Sequence, residues 1–158
     1  MGGFPSMKTK ITKLLSIILP VILTLILIAA VFLATHTGHI FTIRDDLSGI
    51  LLSQQKKVII DLRDNPDYEI THIESSVNIP LDDEGEWLLK KIPEYAGRFT
   101  NIILVCYSGK RAATGYNLLK KAGYFNVNCI VADFEDICKE LGYENLKGAE
   151  ICDCYKKH

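Results

Sequence analysis

"NIILVCYSGKRAATGYNLLKKAG", residues 101 to 123, runs four apolar residues, Ile102 to Val105, straight into a cysteine and then into a helical pattern. The apolar run shows no alternation, as expected for a strand covered by helices on both faces. Residues 111 to 122 read as a helix, and Gly123 stands where a helix C-cap glycine belongs. Residues 106 to 111 then form a tight turn at a helix N-terminus, where the first backbone N–H groups lack helical partners and the dipole is positive. Gly109 permits the positive φ that such a curl needs, and Lys110 and Arg111 add two cations beside the thiol of Cys106. Each feature favours a thiolate over a thiol, and the thiolate is the nucleophilic form. The turn reads as a cradle for anionic sulfur: Cys106 as nucleophile, backbone donors from Tyr107 onward, the Ser108 hydroxyl and the Arg111 cation. The alternative is that Cys106 simply ends a buried strand as a small core residue. A phosphate-binding P-loop is excluded, because Leu104 and Arg111 stand where that motif requires a glycine and a Ser or Thr.

Strand-like and helix-like segments alternate on either side of this stretch. Strands are expected at 41–43, 57–62, 76–79, 101–106 and 127–131; helices at 45–54, 67–71, 84–96 (interrupted by Pro93), 111–122 and 134–141. Such alternation argues for an α/β fold with a parallel five-stranded sheet flanked by helices and right-handed crossovers. In such a sheet the working site lies beyond the C-terminal ends of the strands, which is where Cys106 falls.

The N-terminus has a different character. Residues 14–34, "LLSIILPVILTLILIAAVFLA", carry no charge over 21 positions, long enough at about 1.5 Å per residue to cross a bilayer core of roughly 30 Å. Pro20 is tolerated in a membrane helix. A cleaved signal peptide, releasing a secreted domain, is the rival reading; its apolar region is usually about 7–15 residues and ends at a small-x-small site, which Thr35-His36-Thr37 matches poorly. Lys8, Lys10 and Lys13 precede the span, and only Arg44 follows within ten residues. The positive-inside bias places the N-terminus in the cytoplasm and the remainder outside. The expected organisation is a cytoplasmic segment 1–13, an anchor 14–34, a linker 35–40, a domain 41–145 and a cysteine-containing tail 146–158.

A net charge of −1 gives no reason to expect a nucleic-acid partner. The five cysteines, Cys106, Cys129, Cys138, Cys152 and Cys154, leave at least one unpaired and show no zinc-type CxxC pairing. Cys152 and Cys154 read as ordinary tail thiols, a strained disulfide or a metal contact, and His36 and His39 as solvated linker histidines.

The segments "VIIDLRDNPDYEITHIESSVNIPL" and "ILVCYSGKRAATGYNLLKKAGYFNV" resemble a single-domain rhodanese over roughly residues 41–143. Asp61 and Arg63 match the family's D-x-R. His72, Ile73, Asn78, Ile79 and Pro80 match parts of its GHI-x-GA-x-x-I-P, and Cys106, Gly109 and Arg111 its C-x-x-G-x-R. The resemblance implies a sulfurtransferase in which Cys106 takes sulfur from a small donor such as thiosulfate as a persulfide and passes it to a thiol or cyanide. No metal or organic cofactor is implied. Tyr107, Ser108, Gly109, Lys110 and Arg111 would bind the donor, while Asp61, Arg63 and His72 are expected as scaffold near the site. Phosphatases and arsenate reductases share this fold, but their loops hold five residues between Cys and Arg, against four between Cys106 and Arg111. A non-catalytic binding or regulatory module is the other alternative. Thr71, Ser75 and Ser76 depart from the family's Gly, Gly and Ala, and Tyr107 from its frequent Arg. "IVADFEDI" at 130–137 departs from L-x-GG-x-x-x-W and adds acidic charge that would oppose small anionic donors.

Overall fold

The computed structural model describes residues 7–35 and 37–144, with side chains from 13–34 and 37–144. The expectations for His36, Cys152, Cys154 and the tail lie outside the described residues. The chain divides into an N-terminal helical unit, through Thr37, and a compact unit that begins at Gly38. The first unit is α1 (Met7–Thr35), with Pro20 inside it. Its segment Lys13–Ala34 is long and apolar enough to cross a membrane, and none of it is buried.

The second unit is an all-parallel sheet of β1 (Ile40–Thr42), β2 (Val58–Asp61), β3 (Val77–Asn78), β4 (Ile102–Val105) and β5 (Val127–Val131), in the order β1-β5-β4-β2-β3. Between the strands run α2 (Leu47–Leu52), α3 (Asn65–Ile70), α4 (Glu86–Lys91) and α5 (Lys110–Lys121), with α6 (Phe134–Glu140) after β5. Successive strand residues point to opposite faces, so Ile60, Leu104 and Cys129 pack with Leu88 of α4 and Leu119 of α5. Ile59, Ile103 and Ile130 pack on the other face with Leu47 of α2 and Phe134 and Ile137 of α6. With both faces covered, β2 and β4 have no need of polar alternation. Each buried Ile or Leu stabilises the fold by about 1.5–3 kcal/mol.

Local chemistry sets where the elements stop. Asp46 caps α2, its carboxylate accepting from Gly49 N at 2.8 Å, so this helix starts two residues later than expected. Pro66 lies in the first turn of α3, where its missing N–H costs nothing, and draws the helix start forward to Asn65. The expected helix 84–96 is shorter and divided: Gly85 takes φ +74°, α4 begins after it, and Pro93 falls in a 3-10 turn over Ile92–Glu94. At the end of α5, Gly123 N donates to Lys120 O and Tyr124 N to Leu119 O, the paired bonds of a Schellman ending.

Candidate active site

β4 ends at Val105 and α5 begins at Lys110, so Cys106 to Gly109 make the turn at the C-terminal edge of the sheet. The Cys106 sulfur accepts backbone N–H bonds from Gly109 at 3.2 Å and Ala112 at 3.3 Å. Two amide donors at the start of a twelve-residue helix therefore converge on one sulfur. That arrangement stabilises negative charge on the atom, or on a sulfur bonded to it. Cys106 is buried, and its neighbour Ser108 is half-buried. Lys110 is exposed at the first position of α5.

Gly109 makes the curl possible. Its φ is +84°, and a Cβ there would meet Val131 Cα, a backbone atom, at 2.5 Å. Gly109→Ala is expected to cost about 2 kcal/mol or more, from the left-handed backbone and from a contact that no side-chain rotation relieves. Because Gly109 N is also a donor to the sulfur, reactivity of Cys106 should fall in the same variant. A denaturant midpoint and the rate of alkylation at Cys106 check the two effects together.

The loop is braced from β2 and α3. Arg111 Nη1 donates to Asp64 Oδ1 at 2.9 Å and to Leu62 O at 3.4 Å, and its guanidinium lies 5.1 Å from the Tyr107 ring centroid. The Tyr107 hydroxyl bonds the Asp67 carboxylate and lies 3.3 Å from Asp64 Oδ2. Burial, followed by the bond to Asp67, pushes the Tyr107 phenol well above its ordinary range, so it stays protonated as a donor. Asp64 and Asp67 were not singled out in the sequence. Asp64 directly follows the D-x-R motif at a strand end, the one local signal that pointed to it.

Asp61 and Arg63 pair with each other. Both are fully buried, with Arg63 Nη2 2.8 Å from Asp61 Oδ2 and Asp61 Oδ1 accepting Arg63 N at 2.9 Å. Arg63 Nη2 also reaches Thr71 O at 2.5 Å, and its guanidinium lies 3.5 Å from the Phe134 ring centroid. Asn78 donates to Asp61 O at 3.0 Å and Arg63 O at 2.9 Å, holding the strand end in place. His72 is exposed; its ring stacks on Tyr68 at 4.3 Å and its Nδ1 lies 2.9 Å from Tyr68 O. The structure thus brings the Gly109 and Ala112 amides to the Cys106 sulfur, sets Arg111 against Asp64 and Tyr107, pairs Asp61 with Arg63 at the end of β2, and leaves His72 engaged with α3. Ser75, where the resemblance has glycine, takes φ +63°.

The end of β5 and the segment after it lie against the loop: Gly109 packs on Val131, and Phe134 N donates to Tyr107 O at 2.8 Å. Glu135 and Asp136, expected to repel anionic donors, are engaged by Lys139 at 2.7 Å and 3.6 Å. Cys129 and Cys138 are buried free thiols, each pushed up to about 11 by desolvation, so both are protonated and weakly nucleophilic at neutral pH.

The rhodanese-like domain profile matches residues 45–140. Among curated proteins, the chain is 24% identical over 131 residues to rhodanese-like domain-containing protein 9, chloroplastic, of Arabidopsis thaliana, covering 64% of this chain and 56% of that one. It is 28% identical over 98 residues to tRNA uridine(34) hydroxylase of Buchnera aphidicola, covering 61% and 31%. It is also 28% identical over 78 residues to a putative mitochondrial thiosulfate sulfurtransferase of Schizosaccharomyces pombe, covering 44% and 55%. The chain spans about half or less of the length of these relatives. Among solved structures, an uncharacterized Saccharomyces cerevisiae protein superposes with TM-score 0.54 at 21% identity, covering 68% of this chain and 97% of that one. A Staphylococcus aureus rhodanese-like domain protein gives 0.52 at 18%, covering 68% and 94%. The sheet order, the matched profile and the strand-end cysteine loop agree: this chain belongs to the rhodanese-like domain family.

Proposed function

We propose that this chain is a membrane-anchored sulfurtransferase working through a persulfide on Cys106. The observation that carries the reading is the pair of N–H bonds from Gly109 and Ala112 to the Cys106 sulfur, a preorganised site for anionic sulfur. The Cys106 thiolate attacks the outer sulfur of a donor such as thiosulfate. The donor S–S bond breaks, and sulfite leaves with the bonding pair. An acceptor thiolate or cyanide then attacks the terminal sulfur of the persulfide and returns Cys106 to thiolate. Family membership and the name of the Schizosaccharomyces pombe relative support this chemistry. Arg111 and Lys110 contribute the positive charge at the loop, with that of Arg111 partly offset by Asp64. Doubly anionic donors are therefore expected to bind weakly, and donors of lower charge, such as alkyl persulfides, better.

The anchor reading rests on Lys13–Ala34. The lysines preceding it favour a cytoplasmic N-terminus and an extracytoplasmic domain; cleavage after the span would instead release the domain. The test of activity uses the full chain in detergent. It should form thiocyanate slowly from thiosulfate and cyanide, with no comparable turnover of an aryl phosphate. Aryl phosphatase activity that disappears with Cys106 would assign the loop to phosphoryl chemistry instead.

A further inference from the structure

The edge of the sheet opposite Cys106, where the strands begin, carries features that sulfur transfer does not use. Phe99, just before β4, and Phe125, just before β5, stack face to face with centroids 5.1 Å apart and planes 11° apart. They remain 53% and 44% exposed, so the two rings present one contiguous aromatic surface to the surroundings. Basic groups surround the pair. Lys120 Nζ donates to Phe125 O at 2.9 Å, Arg98 donates to Ala122 O, and the Arg98 guanidinium lies 5.4 Å from the Tyr124 ring centroid. Segments 95–101 and 118–126 together hold Arg98, Lys120 and Lys121 and no acidic residue.

The chain enters the domain at this same edge. His39 N donates to Asn128 Oδ1 at 2.8 Å, Asn128 Nδ2 donates to Asn101 Oδ1 at 2.7 Å, and Gly38 lies directly against Val127 O. The apolar run ends at Ala34. Three residues, hence four Cα steps of at most about 3.6 Å each, separate it from Gly38, a reach of at most roughly 14 Å. Each headgroup layer flanking the hydrocarbon core is roughly 5–8 Å thick, so the tether allows Gly38 no more than about one further layer thickness beyond it.

We propose that the strand-start edge, centred on Phe99 and Phe125, is a lipid-facing surface that rests in the headgroup region of an anionic bilayer. The aromatic rings enter the interface, and Arg98, Lys120 and Lys121 meet lipid phosphates. Cys106, at the other end of strands some 15 Å long, then faces the aqueous phase and its soluble substrates. The proposal rests on the anchor reading.

The full chain is tested in phosphatidylcholine–phosphatidylglycerol vesicles with brominated acyl chains. Trp87, the only tryptophan, is first replaced by phenylalanine. A single indole is then introduced by Phe125→Trp or, beyond the opposite edge, by Asn65→Trp. At position 125 the fluorescence should fall at least twofold in brominated relative to unbrominated vesicles, and at position 65 it should not change. Release of the chain by alkaline carbonate would remove the anchor reading and the proposal with it. A retained chain with position 125 unquenched, or with both positions quenched equally, would overturn the proposal alone. So would an indole at 125 that is shielded from iodide yet not quenched by bromine, which would assign the edge to a second copy of the chain.

Discussion

Cys106→Ser is expected to lower sulfur transfer by more than about a thousandfold, to the rate of the uncatalysed reaction. The hydroxyl offers the Gly109 and Ala112 N–H groups an acceptor of similar size, so the loop should keep its shape. An alcohol, however, cannot hold a sulfane sulfur at neutral pH as a thiolate does. The fold should be retained, because a single buried sulfur is exchanged for oxygen without leaving a cavity larger than a methyl group. Thiocyanate formation, measured beside the unfolding midpoint, separates loss of the nucleophile from loss of the domain. Turnover within tenfold of the parent would place the chemistry elsewhere.

The second large effect is on stability. Asp61→Ala should cost about 3–5 kcal/mol, because it strands the buried Arg63 guanidinium without its carboxylate. Against a typical domain stability of about 5–15 kcal/mol, that is a large share. Replacing both partners together, Asp61→Leu with Arg63→Met, should cost much less, since no uncompensated charge then remains. Part of the Arg63 contribution, its bond to Thr71 O and its contact with Phe134, is lost in that double variant as well. Denaturant unfolding of both variants checks the ordering. A single-variant cost below about 1 kcal/mol would mean that the pair is solvated in solution.

The elements of this fold were legible because their signals are local. β2 and β4 announce a doubly covered sheet through uninterrupted apolar runs, α5 through its periodicity and its closing glycine. The start of the sulfur cradle was legible for the same reason, since strand, turn glycine and helix lie within 22 residues of one another. Element ends were less so. Asp46, Pro66 and Gly85 each moved a helix boundary by local capping or backbone geometry that hydrophobic periodicity does not report. What the sequence did not disclose is how the loop is held. Arg111 meets Asp64 across 47 positions, and the Tyr107 hydroxyl meets Asp67 across 40. Neither pairing has a periodic signature; each follows from the β2–β4 register, which sets the ends of the two strands side by side. Arg111 illustrates the consequence: a cation assigned to the donor from its spacing alone is shared with a carboxylate in the folded chain.

Whether Cys106 carries the transferable sulfur is read from the intact mass of the chain. The full chain is purified, treated with thiosulfate or an alkyl persulfide, freed of excess donor and weighed under non-reducing conditions. A gain of about 32 Da, one sulfur atom, is expected, mapping to the peptide containing Cys106, disappearing on addition of cyanide and absent from Cys106→Ser. Cys129 and Cys138, buried and protonated, should remain unmodified. A gain that persisted in the serine variant and mapped to Cys152 or Cys154 would place the transferable sulfur on the tail and leave the loop a bystander.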